Sequence, residues 1–207
     1  LGKALVMIDK MGNENYQPSF VPLEGGIPEP VLGPDYENQQ IACVHCDVEK
    51  DIAYFYHDDR KNPEQQCLRV NLETSEITSL GRSPHGNFCN GAAPDHSMVI
   101  LADGYTAGDN VLYYWKPGMK QRELLYGIPL EKREGRQVPP SGIGWCSFVN
   151  GNKGLVFRSN LFHDNGGLTY LSLDDPSTPV DVPVEGTLHS GVGELVQLLQ
   201  VEGDLFV

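Results

Sequence analysis

Phe88-Cys89-Asn90-Gly91-Ala92-Ala93-Pro94-Asp95-His96-Ser97-Met98-Val99-Ile100-Leu101 decides how this chain is read. A strand-like run ends in a polar turn, Pro94 to Ser97, and a continuous apolar run follows at once. The same grammar recurs. Gly2-Lys3 precedes Ala4 to Ile8, Glu49-Lys50-Asp51 precedes Ile52 to Phe55, Asn152-Lys153-Gly154 precedes Leu155 to Phe157, and Gly203-Asp204 precedes Leu205 to Val207. Aligning Leu5, Ile52, Met98, Leu155 and Leu205 gives spacings of 47, 46, 57 and 50 residues. A repeat of that length marks a modular fold, because each unit is one supersecondary structure.

Each period carries further strand signals in phase. Alternating or apolar runs at 20–23, 68–72, 111–115 and 168–173 each end in a polar or Gly/Pro turn. A short strand is expected after each turn, at 28–32, 77–80, 123–126 and 180–184. The runs 41–46, 88–93, 144–149 and 194–201 supply the strand before each turn of the first kind. Leu195 to Leu199 suits a helix taken alone, but its phase assigns it to a strand. Helical periodicity is otherwise missing, and the 23 glycines and 15 prolines fall into place as turns. Four short strands in a period of about 40–50 residues are the signature of a propeller blade. The expected fold is all-β: a β-propeller of about four four-stranded antiparallel blades, part of a larger or paired propeller. The periods are 1–37, 38–84, 85–138 and 139–188, with 189–207 starting a further blade.

Ala93-Pro94-Asp95-His96-Ser97-Met98-Val99-Ile100 resembles the Ser-Pro-Asp-Gly-Lys-apolar turn of TolB-type propellers, a blade also found in the propeller domain of prolyl-oligopeptidase-family peptidases. Ser147 to Ser159 is a looser copy. In this chain His96 replaces the turn glycine. The resemblance implies propeller blades; it carries no activity with it.

Composition narrows the partners. Against 28 acidic residues stand 15 basic ones, for a net charge of −13 and a pI near 4.7. Nucleic acid is excluded, since phosphate binding needs Lys/Arg patches, and the longest basic cluster, Glu131 to Arg136, is diluted by its own acids. No apolar run approaches the ~18 residues of a membrane span, and no secretory signal opens the chain. Five cysteines, Cys43, Cys46, Cys67, Cys89 and Cys146, cannot all pair, and read as small buried hydrophobes. Cys43-Val44-His45-Cys46 looks like half a zinc knuckle, but strand alternation sends residues three apart to opposite faces.

Propeller connectivity puts the loops between second and third strands on one face with the blade-to-blade loops. That face gathers the ligand candidates His57, Asp58, Asp59, His85, Asp103, Trp145, Arg158, His163 and His189. Asp9, Asn160 and Asp164 share it. Trp145 opens an inner strand and is the best contact for a sugar or peptide. His85 and His189 with Asp103 are the candidate ligands of a divalent metal.

No complete catalytic constellation accompanies them. The Gly-x-Ser-x-Gly elbow of serine hydrolases does not occur, and His189-Ser190-Gly191-Val192-Gly193 only superficially resembles it. A phosphate-binding Gly-rich loop is also missing. The expected function is a non-catalytic module that binds or gates a peptide, protein or small ligand at the propeller channel, without a cofactor. The alternatives are a metal-dependent enzyme of the oligogalacturonate-lyase type, and a fragment that only assembles, by self-association or with the remainder of a propeller.

Overall fold

The computed structural model describes residues 2–184 and 193–206. Among the described residues all regular structure is strand, apart from two single-turn 3-10 helices at Pro34–Tyr36 and Leu130–Lys132. The first sheet has three strands, β1 (Lys3–Ile8), β2 (Gln17–Pro22) and β3 (Glu29–Pro30). Three four-stranded antiparallel meanders follow. They are β4 (Gln40–Asp47) to β7 (Ile77–Ser83) through β5 (Ile52–Asp58) and β6 (Gln65–Asn71); β8 (Phe88–Ala92) to β11 (Glu123–Tyr126) through β9 (Val99–Thr106) and β10 (Asp109–Trp115); and β12 (Ser147–Val149) to β15 (Val180–Val182) through β13 (Gly154–Ser159) and β14 (Gly167–Ser172). A two-stranded ladder, β16 (Gln200–Glu202) and β17 (Leu205–Phe206), ends the chain. In each meander neighbouring strands in sequence are neighbours in the sheet, as the repeat predicts.

One local conformation recurs in every repeat. Gly2, Asp51, His96, Asn152 and Gly203 stand before the apolar second strand, and all have left-handed backbones, with φ of 62°, 53°, 56°, 65° and 54°. His96 therefore departs from the glycine pattern in residue type and not in geometry. Asp95 supports that turn, accepting bonds from the Ser97 backbone N–H at 3.1 Å and the Ser97 hydroxyl at 2.6 Å. These bonds hold its carboxyl below the ordinary range.

Several strands are shorter than the pattern suggests, for identifiable reasons. The stretch 28–32 yields only Glu29–Pro30, because Pro28 and Pro30 cannot donate to a ladder. The stretch 144–149 pairs as a strand only at Ser147–Val149, since the Cys146 N–H turns away from β13 and donates to Asn90 O at 2.7 Å. Of 194–201, only Gln200 and Val201 are strand, and Leu195 gives its carbonyl to the Arg158 side chain instead.

The chain forms two compact units, 1–89 and 90–207. The core of the first buries Val31, Leu32, Ile41, Ala53, Phe55, Leu68, Val70 and Leu72, with Leu5, Met7 and Phe20 packed on it. The core of the second buries Ile100, Leu112, Phe148, Leu155, Phe157 and Leu171 around Ala93 and Cys146. Both are sheet-on-sheet cores, which explains why second strands such as β9 read as continuous apolar runs rather than alternating ones.

Burial divides the cysteines. Cys67, Cys89 and Cys146 are buried and in no disulfide, Cys46 is half-buried and Cys43 is exposed. A register shift between Cys43 and His45 breaks the strict alternation expected of β4. Among the described residues no three His, Cys, Asp or Glu side chains converge as metal ligands.

Within the second unit the first strands of adjacent sheets nearly touch. A Cβ at Gly91 would lie 2.3 Å from the Cys146 carbonyl oxygen. Asn90 Nδ2 donates to Gly144 O at 2.8 Å across the same seam. Gly91→Ala should therefore destabilise the protein by about 1–3 kcal/mol through overpacking against backbone. Gly33→Ala, with open space around it, should be nearly neutral. Urea unfolding of both variants checks this, and equal midpoints would refute the close approach.

Candidate binding cleft

The sequence candidates separate into structural groups and surface groups. His57 is buried at 3% exposure, with both ring nitrogens engaged. Nε2 bonds Gln39 Oε1, and Nδ1 accepts from Gln66 Nε2 at 2.6 Å. Ser79 donates to the other end of Gln66 at 2.8 Å, and Tyr36 meets the imidazole edge-on at 5.2 Å. The ring thus ties the Pro34–Tyr36 turn to the sheet, and burial lowers its pKa below the usual histidine value.

Asp58 and Asp59 cap their own loop. Asp58 accepts from Arg60 N at 2.8 Å. Asp59 accepts from Lys61 N at 2.8 Å, Asn62 N at 2.9 Å and the Asn62 amide at 2.7 Å, which hold its carboxyl well below the carboxylate range. His85 is half-buried beside Ser83, whose hydroxyl accepts from the His85 N–H at 3.0 Å.

Asp103 is 2% exposed and gives both oxygens to Arg122, at 2.7 and 2.5 Å. The guanidinium lies 3.8 Å from the Tyr113 ring centre. This bidentate pair consumes the acid assigned to a metal set. His189, the other distant member of that set, lies outside the described residues.

Trp145 is 37% exposed at the approach to β12. His163 lines a hollow of about 400 Å³, and Arg158 stands behind its Gly166 wall. Arg158 donates to Leu195 O at 2.5 Å and to Glu194 at 3.0 Å, and His163 Nε2 lies 3.1 Å from both oxygens of Asp181. Of the candidates among the described residues, His163 alone lines one of these hollows.

A larger cleft was not anticipated. It has a volume of about 590 Å³ and lies in the second unit, walled by Leu125 to Ile128, the strap Val138 to Ser141, Asn160 with Leu161, and Pro176 with Ser177. Asp109 and Arg133 close one side, and no residue of β8 or β12 takes part. Its signal in the sequence is the 57-residue spacing between Met98 and Leu155, longer than the 46 to 50 elsewhere. The surplus builds the connector from Gly127 to Cys146, dense in proline at 129, 139 and 140.

That connector is held from several sides. Arg133 donates to Asp109 through both terminal nitrogens, at 2.6 and 2.8 Å, and through Nε to Ile128 O at 2.9 Å. Its guanidinium lies 4.8 Å from the Tyr105 ring centre, and the Tyr105 hydroxyl accepts from Leu130 N at 3.1 Å. Ser141 exchanges bonds with Asn110, donating to its carbonyl at 3.1 Å and accepting from its N–H at 3.2 Å. Gly142 N donates to Gly108 O at 2.7 Å. Gly142 has φ 56°, and a Cβ there would fall 2.0 Å from Asn160 Oδ1, so glycine is required twice over. The cleft is therefore built rigid: proline-rich on the strap and pinned at both ends.

No protein-family model matches the chain, and no curated protein matches it. Solved structures do. TolB from Acinetobacter baumannii superposes with a TM-score of 0.60 at 11% identity, covering 89% of this chain and 42% of that one. A putative TolB from Agrobacterium tumefaciens gives 0.54 at 12%, covering 87% and 60%. An oligogalacturonate lyase in complex with manganese gives 0.51 at 16%, covering 80% and 41%. This chain thus spans less than two thirds of each of these structures. At such identities the likeness is one of fold: the sheets are β-propeller blades of the type seen in TolB.

Two measurements check the site electrostatics. Asp103→Asn breaks a buried ion pair and should cost about 3–5 kcal/mol, whereas Asp181→Asn at the exposed His163 pair should cost at most about 1 kcal/mol. Because His57 has a lowered pKa when folded, protonation favours the unfolded chain. Its contribution is therefore complete above the unfolded value of about 6.5 and is lost as pH falls below it toward the folded value. A His57→Gln variant should lose that part of the acid limb in pH-dependent urea unfolding.

Proposed function

We propose that this chain is a non-catalytic β-propeller module that binds a peptide, a protein segment or a small ligand in the cleft beside Pro139 and Pro140. One observation carries the reading: a preformed, largely apolar cavity of about 590 Å³ whose two charged groups, Asp109 and Arg133, are spent on each other. Volumes of about 300–1,000 Å³ with few polar groups suit small-molecule and short-peptide ligands. General acid–base catalysis needs a group free to exchange a proton in reach of substrate. A bidentate carboxylate–guanidinium pair is held against doing so.

A second reading has its own observation. His163, held by Asp181, lines the smaller hollow, and Arg158 bonds its wall residues Leu195 and Glu194. An imidazole positioned by a carboxylate is a base, and an arginine suits a carboxylate substrate. The fold likeness to a manganese-bound oligogalacturonate lyase makes polyuronate cleavage the reaction to try.

Purified protein incubated with manganese and oligogalacturonate should form no unsaturated product, and elemental analysis should find no stoichiometric metal. Capped tripeptides of neutral, apolar composition should shift the methyl NMR signals of Val138 and Leu161. Product formation, abolished in His163→Ala, would transfer the function to the second hollow. Shifts confined to residues outside the cleft would overturn the cleft as the site.

A further inference from the structure

We propose that the turn between β12 and β13 is a site of spontaneous covalent modification, in which Asn150 is converted through a succinimide with Gly151 to aspartate or isoaspartate. This inference is independent of any ligand in the cleft.

The chemistry needs only the chain and water. The backbone nitrogen that follows an asparagine attacks the side-chain Cγ. A C–N bond forms, the amide nitrogen leaves as ammonia, and a five-membered ring remains. Water then opens either ring carbonyl. One opening restores the backbone bond and gives aspartate; the other leaves the side chain as the link and gives isoaspartate. The sum is amide plus water to carboxylate plus ammonium, with no oxidant or reductant. A following glycine favours the attack, because no Cβ shields its nitrogen and its backbone turns most freely.

Three Asn-Gly pairs occur in the chain, Asn90-Gly91, Asn150-Gly151 and Asn165-Gly166. The structure closes two of them. Asn90 lies in strand β8, and its Nδ2 donates to Gly144 O at 2.8 Å and to Cys146 Sγ at 3.5 Å. Gly91 is packed against the Cys146 backbone. Asn165 Nδ2 donates to Gly193 O, and the would-be nucleophile, Gly166 N, donates to His163 O at 3.1 Å. Gly166 is also buried beneath the Arg158 guanidinium.

Asn150-Gly151 is open by each of these criteria. Both residues are exposed, and a Cβ at Gly151 would meet nothing within 4 Å. Among the described residues neither the Asn150 side chain nor the Gly151 N–H makes a hydrogen bond. Asn150, Gly151 and Asn152 follow one another in left-handed conformation, with φ of 54°, 64° and 65°, which L-residues hold only under strain. One tie restrains the turn from outside: Asn150 N donates to both carboxylate oxygens of Asp204, at 3.2 and 3.3 Å. Conversion places a second carboxylate at position 150, beside Asp204, and like charges so close repel. Isoaspartate also lengthens the backbone by one carbon at the turn. Either product therefore loosens the β16–β17 ladder from the fourth sheet.

The test ages the whole chain, folded and in urea, at mildly alkaline pH, and follows the peptide around each pair by mass spectrometry. Electron-transfer fragmentation separates aspartate from isoaspartate. In the folded chain Asn150 should convert at least about tenfold faster than Asn90 or Asn165, since a held site reacts only through local opening. In urea the three rates should draw together. Asp204→Ala releases the Asn150 N–H and should speed conversion at Asn150 alone. Asn150→Asp, which carries the product charge, should raise amide exchange at Leu205 and Phe206. Equal rates at all three pairs in the folded chain, faster conversion at Asn90 or Asn165, or an Asn150 that stays intact while the unfolded chain converts would overturn the site. Conversion at Asn150 that Asp204→Ala leaves unchanged, or unchanged exchange in Asn150→Asp, would overturn its coupling to the terminal ladder.

Discussion

A single left-handed residue at the turn between first and second strands holds this architecture together. Gly2, Asp51, His96, Asn152 and Gly203 all occupy that conformation, and the last four send the chain back along the strand it has left. An L-residue there is strained by about 1 kcal/mol or more, so three of the five turns keep that conformation without glycine. Asp95 shows how: its carboxylate accepts from Ser97 within the turn and from Asn152 Nδ2, at 3.1 Å, in the next repeat. Asp204 does the same one repeat later, accepting from Asn150 N at 3.2 Å. The turn that sets the phase of each sheet is thus also a link between successive sheets.

From that phase follows the division of labour along the chain. The second strands become continuous apolar runs because they are covered on both sides, as β9 is. The first strands come close enough that only glycine fits at position 91. The loops are left to carry variation. Some of these loops are short and self-capped, as at Asp59. In the third repeat, surplus residues fold into a connector that must be fastened down. Arg133, Asp109 and Tyr105 do the fastening, and Asp103 with Arg122 and Tyr113 braces the sheet beneath. Both arginines are stacked on tyrosine and forked onto aspartate, an arrangement lysine could not make. The cleft is a consequence of where this connector is tied.

The repeat was legible because it is written in residue classes: polar turn, apolar run, polar turn, at nearly constant spacing. Strand order followed from short connections alone. The candidate site was much less legible. His57 and Asp103 have the residue types of a site, yet each is committed to a partner that sequence distance hides, while Asp59 caps its own loop. Gln66 lies nine residues from His57, and Arg122 lies nineteen from Asp103. Arg158 and His163 border one hairpin loop, between β13 and β14. The larger cleft left only an indirect trace, an over-long period, because its walls are prolines and aliphatic residues with no chemical signature of their own.

By itself the sequence determined an all-β chain of four-stranded modules, a net charge of −13, and the positions where turns reverse the chain. These depend on local spacing and on side-chain class, which a linear reading contains. Tertiary structure alone decided which charges are available to a ligand. Whether an aspartate is a site or a brace depends on the arginine across from it, and that meeting is set by pairing between strands. It also decided where a cavity stands, because a void is the space between elements and belongs to no single residue.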